Sequence, residues 1–288
     1  MAGAPRARRR RARGRPDAGV TRLLLLAALG LASCAAPPAS APLATVDVVT
    51  LNLWHDQDDW PARLGVIADT LGALRPDVIV LQEVLQDSAK GLANQAETLG
   101  ARLGYAVVFA SVNGPDEPKR YGNAILSRHP VRDTSWVRLR PLTDYRVAAR
   151  ARLDVDGRPL DVLVTHLHHT VEGDSIRAVQ VADLLAFLDR TAEAPWVAAG
   201  DFNAPSDAPS LAPLADRAAS AFDAIHPGAE VSTLVEALGH TPRWIDHVFA
   251  GPGLRPVDAR IVLGDPVGGV QPSDHRGVWA RLRWAPAE

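Results

Sequence analysis

Cysteine is almost missing from this chain: Cys34 is the only one. No intrachain disulfide can therefore form, and nothing after residue 34 offers a thiolate to a metal. Lysine is nearly missing too, with Lys90 and Lys119 alone among otherwise arginine bases. Apolar runs are short. The longest near the N-terminus, Leu23 to Leu31, falls well below the ~20 residues that cross a bilayer. No low-complexity body, aligned internal repeat or linker interrupts the sequence after Ala44. With 47% hydrophobic and 22% charged residues, the composition is that of a globular domain.

What is present at the N-terminus reads as targeting. Residues 1–22 are rich in arginine, and the apolar run ends in Leu31-Ala32-Ser33-Cys34. Small residues just ahead of a lone cysteine resemble a bacterial lipobox. The expectation is a lipoprotein signal peptide over residues 1–33, a lipid-bearing Cys34, and a Pro/Ala tether over residues 34–44. Residues 45–288 then form the domain, held at the membrane of a bacterial cell envelope and facing outside the cytoplasm. Residues 1–33 contain eight Arg and one Asp. Without them 31 basic residues become 23 and 33 acidic ones become 32, a net charge of −9 with histidine neutral. Proteins that grip nucleic acid through its phosphates are usually basic, so this balance argues against tight duplex binding without excluding a nuclease.

Periodicity predicts the elements. Val46 to Leu53 alternates as a strand, and Leu64, Ile67, Ala68, Leu71 and Leu74 share one face of a helix over Trp60–Leu74. Val78 to Gln82 reads as a buried strand ending at Glu83, and Ala89 to Leu103 as a second helix. Strands are expected near Tyr105–Ala110, Gly122–Ser127, Val131–Arg138, Val147–Val155 and Leu160–His166, the last two joined at Asp156-Gly157. A helix over Ser175–Arg190 precedes the strand Trp196–Gly200, and three more strands lie near 246–250, 260–263 and 278–283. Strand–helix units flanking a hairpin-rich centre predict an α/β fold of two sheets packed face to face, with helices outside.

Five polar positions share one placement, at the end or start of an apolar strand: Asn52, Glu83, His166, the pair Asp201 and Asn203, and Asp274-His275 beside Asp246. Each alone has an ordinary explanation as a turn, cap or satisfied histidine. Gly200 reads as the pivot of a sharp turn ahead of Asp201. Oxygen donors dominate the set, which suits Mg²⁺, or Mn²⁺ in its place. Glu83 with Asn52 is the expected metal arm. A rival zinc site at His166, His168 and His169 alternates along a strand and lacks a partner motif. His275 has the ionisation range of a general base near neutrality.

The stretches Thr50-Leu51-Asn52-Leu53-Trp54, Leu81-Gln82-Glu83, Tyr121-Gly122-Asn123-Ala124-Ile125-Leu126-Ser127, Thr165-His166-Leu167, Gly200-Asp201-Phe202-Asn203-Ala204, Ile245-Asp246-His247-Val248-Phe249 and Ser273-Asp274-His275-Arg276 occur in one order along the chain. As a set they resemble the endonuclease/exonuclease/phosphatase superfamily of metal-dependent phosphoesterases. The resemblance implies a four-layer α/β-sandwich with two mixed, mostly antiparallel sheets. It also implies Asp246 as the carboxylate partner of His275, Asp201 and Asn203 as the groups that orient water and bind developing charge, and His166 as a donor to a phosphoryl or leaving oxygen. Asp274 is expected as a further metal ligand or a structural neighbour, Tyr121 and Asn123 as pocket-shaping groups, and Arg177 and Gln180 as a family-like helical feature. Nucleic acid, a nucleotide, a phospholipid or an inositol phosphate would supply the phosphoester, to a protein acting as a monomer. The acidic residue that follows the corresponding Asn in apurinic endonucleases is replaced here by Leu53, Trp54 and His55, and the deoxyribonuclease disulfides are missing. The competing expectation from a different class is an envelope lipoprotein that uses the fold only for binding.

Overall fold

The computed structural model describes residues 44–286. The lipobox, Cys34 and nearly all of the tether lie outside the described residues. Twelve strands run as β1 (Thr45–Asn52), β2 (Val78–Asp87), β3 (Ala106–Ser111), β4 (Lys119–Ser127), β5 (Val131–Arg138), β6 (Val147–Val155), β7 (Arg158–His166), β8 (Trp196–Asp201), β9 (Ala219–Ser220), β10 (Asp246–Ala250), β11 (Leu254–Val262) and β12 (Gly277–Trp284). Helices α1 (Trp60–Leu74), α2 (Gln95–Leu103) and α3 (Asp174–Thr191) are the longer ones, followed by short α4 (Ala212–Ala215) and α5 (Ala221–Ile225). No described helix is long and apolar enough to cross a membrane.

The strands form two six-stranded sheets, ordered β11-β12-β1-β2-β4-β3 and β5-β6-β7-β8-β10-β9. Each sheet holds one parallel pair, β1 with β2 and β7 with β8, and every other pairing is antiparallel. Parallel neighbours need a crossover, which α1 and α3 supply. Side-chain alternation then sorts the core into layers. Val46, Val48, Val78 and Val80 from one sheet meet Val162, Val164, Val197 and Ala199 from the other. The opposite face of the first sheet packs Leu51, Ile79 and Leu81 on Ile67, Leu71 and Leu99. That of the second packs Leu163 and Phe249 on Val181, Leu184 and Leu188. This is the expected four-layer sandwich.

Three local expectations change. The second helix begins at Gln95, because Asn94 caps it by accepting from the backbone N–H of Ala96 and Glu97. A short 3₁₀ turn over Ser88–Lys90 and the left-handed Gly91 stand where helix was expected. β2 does not end at Glu83 but runs to Asp87, with its pairing to β4 shifting between Leu81 and Val84 and Glu83 itself at φ 55°. The irregularity lifts Glu83 off the ladder. Gly200 lies inside β8 and makes no sharp turn. A Cβ there would sit 2.0 Å from the Thr165 carbonyl oxygen of β7, so glycine is required by strand approach.

Candidate active site

Alternation and register together carry the polar residues to one end of the sandwich. Val46 and Val48 point between the sheets, so Thr50 and Asn52 follow on that face, as Gln82 follows Val78 and Val80. The same count along β7 and β8 brings His166 and Asp201 inward. Asn52 lies opposite Gln82 at the carboxyl ends of β1 and β2, and His166 opposite Asp201 at those of β7 and β8. β10 runs the other way and opens with Asp246 opposite Asp201. His275 arrives from the loop ahead of β12. The carboxyl ends of the two parallel pairs thus face each other, the place where such sheets expose polar groups.

Asp201 is the meeting point. Its Oδ1 accepts from the Asn203 backbone N–H at 2.9 Å, and its Oδ2 accepts from Asn52 Nδ2 at 3.2 Å. His166 Nε2 stands 3.4 Å and His275 Nε2 3.9 Å from the same Oδ2. His275 Nδ1 pairs with Asp246 Oδ2 at 2.9 Å. All these residues are buried. Burial first, then the Asp246 charge, raises the Asp201 carboxyl above the usual range, while His275 acts against the rise. Burial opposes a charged His275, but Asp246, then Asp201 and Asp274, outweigh it and hold the imidazolium far above the ordinary histidine range. Burial, then Arg146 and His275, hold His166 well below it and therefore neutral.

The Asn52 amide has only one sensible orientation, because its Oδ1 accepts from the Trp54 N–H at 3.0 Å while its Nδ2 meets a carboxylate. One lone pair remains on that oxygen. Among the described residues the Glu83 carboxylate accepts no hydrogen bond, and its nearest basic atom is His55 Nε2 at 4.0 Å. A partly exposed carboxylate that accepts no hydrogen bond, one residue beyond the Asn52–Gln82 register pair, and an amide oxygen with a lone pair left suit a hard divalent cation such as Mg²⁺. A second grouping, Asp201, Asp246 and His275, has ligand atoms all within 4.8 Å of one another. There, however, His275 Nδ1 and Asp246 Oδ2 already satisfy each other.

The remaining predicted residues divide. Asn203 places one amide hydrogen on the Leu167 carbonyl at 3.0 Å and keeps the other. The half-buried Tyr121 phenol is pushed well above the ordinary tyrosine range by desolvation first and then by the neighbouring Glu83 charge. Asn123 Nδ2 donates to the Val147 carbonyl at 2.8 Å, tying β4 to β6 across the sheets. Asp274 Oδ2 lies 3.3 Å from His240 Nε2, outside the Asp201 cluster. His168 is bound to Asp144 at 2.8 Å and to Thr170 at 3.0 Å, which takes it out of any site with His166. His247 points to the Ala204 carbonyl at 2.9 Å, on the opposite face of β10 from Asp246.

Three contributors escaped the sequence reading. Arg146 is buried with an unpartnered Nε, and its charge reaches Tyr121, His166 and His169. Its one sequence signal is an arginine directly ahead of an apolar strand. Ser273 Oγ donates to the Asn52 carbonyl at 2.6 Å and accepts from the His275 N–H at 3.2 Å, joining the two arms. Arg63, fully buried on α1, donates to the carbonyls of Leu53, His55 and Pro272 at 2.8, 2.8 and 2.9 Å. Arg177 on α3 repeats this by binding the carbonyls of His168, Thr170 and Val171 after β7, while Gln180 accepts from the His168 N–H. Each crossover helix therefore fixes the loop that follows its preceding strand.

The sequence profile described as the Endonuclease/Exonuclease/phosphatase family matches residues 49–275. The chain belongs to this family. Its members are metal-dependent phosphoesterases and nucleases, so membership implies phosphoester hydrolase chemistry. Solved structures agree on the fold. An endonuclease/exonuclease/phosphatase from Beutenbergia cavernae DSM 12333 is 26% identical with a TM-score of 0.64, covering 84% of this chain and 72% of that one. The human Nocturnin catalytic domain with bound sulfate is 23% identical with a TM-score of 0.67, covering 84% and 94%. D. rerio TDP2 complexed with single-strand DNA product is 17% identical with a TM-score of 0.69, covering 83% and 99%. No curated protein sequence matches the chain significantly.

Proposed function

We propose that this family member is a Mg²⁺-dependent hydrolase of phosphoesters in which Asp201 prepares the attacking water. The observation that carries this reading is the convergence of Asn52, His166 and His275 on one Asp201 oxygen, between the oxygen-donor arm and the Asp246–His275 pair. Asn52 and Glu83 would hold the cation, with Mn²⁺ able to substitute. When bound, it would neutralise charge on the phosphoryl oxygens. The general base moves from His275, where the sequence expectation put it, to Asp201. An imidazole charged by Asp246 has no room for a second proton, whereas a carboxylate whose affinity for protons is raised can take one from water. His275 then presents its Nε2–H, and Arg146 its guanidinium, to the negative charge that develops at phosphorus. Asn203 contributes its remaining amide hydrogen, and neutral His166 a donor toward a phosphoryl or leaving oxygen.

Hydrolysis of bis-p-nitrophenyl phosphate and p-nitrophenyl phosphate is the direct assay. Turnover is expected to vanish in EDTA and return with Mg²⁺ or Mn²⁺. Equal, EDTA-insensitive rates in wild type and His275→Ala would overturn the proposal.

The lipobox motif supports placement on a bacterial membrane through Cys34. Cys34→Ser is expected to move the protein from the membrane fraction to the soluble one, and retention of the variant in washed membranes would refute the anchor.

A further inference from the structure

Beside the Asp201 centre lies a cleft of about 570 Å³ whose lining includes both lysines of the chain, Lys90 and Lys119, with His55, Tyr121, Asn113 and Tyr145. A cleft of equal volume near Gly264 and Arg276 includes neither His55 nor Tyr121 in its lining. The first one shares a wall with the site. His55 Nε2 approaches Glu83 at 4.0 Å, and the Tyr121 phenol feels the Glu83 and Asp201 charges.

The polar groups of this cleft are arranged unequally. Lys90 Nζ is bound to Asp56 Oδ2 at 2.7 Å, and Asp56 Oδ1 to His55 Nδ1 at 2.9 Å. That chain neutralises the one carboxylate of the lining and fixes His55. Lys119 differs: among the described residues it has no carboxylate within ion-pair distance. Asn113 spends its Oδ1 on the Tyr121 N–H at 3.1 Å, which turns its amide hydrogens outward. Tyr145, 63% exposed and held at φ 54°, stands at the rim as an unpacked aromatic face. An uncommitted ammonium, an amide donor and an aromatic surface suit an anion carried next to a ring. The net negative charge of residues 34–288 disfavours a grip on the phosphates of a polymer.

We propose that this cleft is a substrate subsite selecting phosphoesters that bear a second phosphate, with Lys119 as its counter-ion. The inference rests on the hydrolase reading for the location of the scissile phosphate. The second phosphate can sit on a nucleotide or on a cyclic polyol, and the test separates the two.

Binding is measured by calorimetry in EDTA, where turnover does not intrude, for adenosine 3′,5′-bisphosphate against adenosine 5′-monophosphate and for inositol 1,4-bisphosphate against inositol 1-phosphate. In at least one series the bisphosphate is expected to bind tenfold or more tightly than the monophosphate. The series that shows the preference identifies the source. Lys119→Ala is expected to abolish the preference and Lys119→Arg to keep it. No preference in either series for the wild type, or a preference that survives Lys119→Ala, overturns the subsite. Wild-type turnover of bis-p-nitrophenyl phosphate with Mg²⁺ or Mn²⁺ reports separately on the hydrolase reading. A Lys119-dependent preference without that turnover leaves the subsite standing and removes the hydrolase, and turnover without the preference does the reverse.

Discussion

Asp201→Ala is expected to lower turnover of a diester by roughly 10³–10⁴-fold, the scale of a lost general base, while metal affinity stays within about tenfold of wild type. The reason is positional. Asp201 touches the proposed metal arm only through Asn52 Nδ2, at 3.2 Å. Alanine frees that amide to bind water and introduces no rival donor. Asp201→Asn is a worse probe, since the new amide would face Asn52 Nδ2 or His166 and disturb the arm under test. Turnover at varied Mn²⁺ together with Mn²⁺ binding separates the two quantities. A hundredfold loss of metal affinity with modest loss of saturated turnover would place Asp201 in the cation's shell and sink the assignment.

The second large effect is on stability. Arg63→Met should destabilise the fold by about 3–5 kcal/mol, because removing one buried charged donor leaves several carbonyls without partners. Besides Leu53, His55 and Pro272, its Nε reaches the Gln57 carbonyl at 3.0 Å. The guanidinium also stacks over Trp54 and Trp60, at 5.3 Å from each ring centroid. These bonds tie the loop after Asn52 to Pro272, three residues ahead of His275, so turnover should fall with stability. For a domain of this size the change corresponds to a melting temperature lowered by roughly 10 °C. Arg63→Lys should recover only part, since a point charge cannot serve a fan of carbonyls. Urea or thermal unfolding within about 1 kcal/mol of wild type would refute the role.

Much of this candidate site is legible along the chain because the polar side chains proposed to carry the chemistry stand where apolar alternation stops. Asn52, His166, Asp201 and Asp246 each follow or precede a run of inward valines and alanines, and their inward direction follows from counting by twos. Arg146 and Arg63 were invisible for the opposite reason. Each is an arginine in an arginine-rich chain, and only packing turns it from a solvated base into a buried one. The helix expected from Ala89 fails on a similar point. Apolar spacing continued past Gly91, but Asn94 accepts two backbone N–H groups and sets the start at Gln95.

Layers, motif order, the oxygen-donor character of the candidate metal arm and the family resemblance are all legible in the linear chain. These depend on local periodicity and residue type, which short-range physics writes into neighbouring positions. Tertiary structure alone decided which atoms meet. Asn52 and Asp201 are 149 residues apart in the chain and 3.2 Å apart in space, and His275 takes its proton affinity from Asp246 and Asp201 on another sheet. Charge, desolvation and hydrogen-bond direction depend on those distances, so the place of the proton, and with it the proposed shift of the base from His275 to Asp201, became readable only in the folded chain.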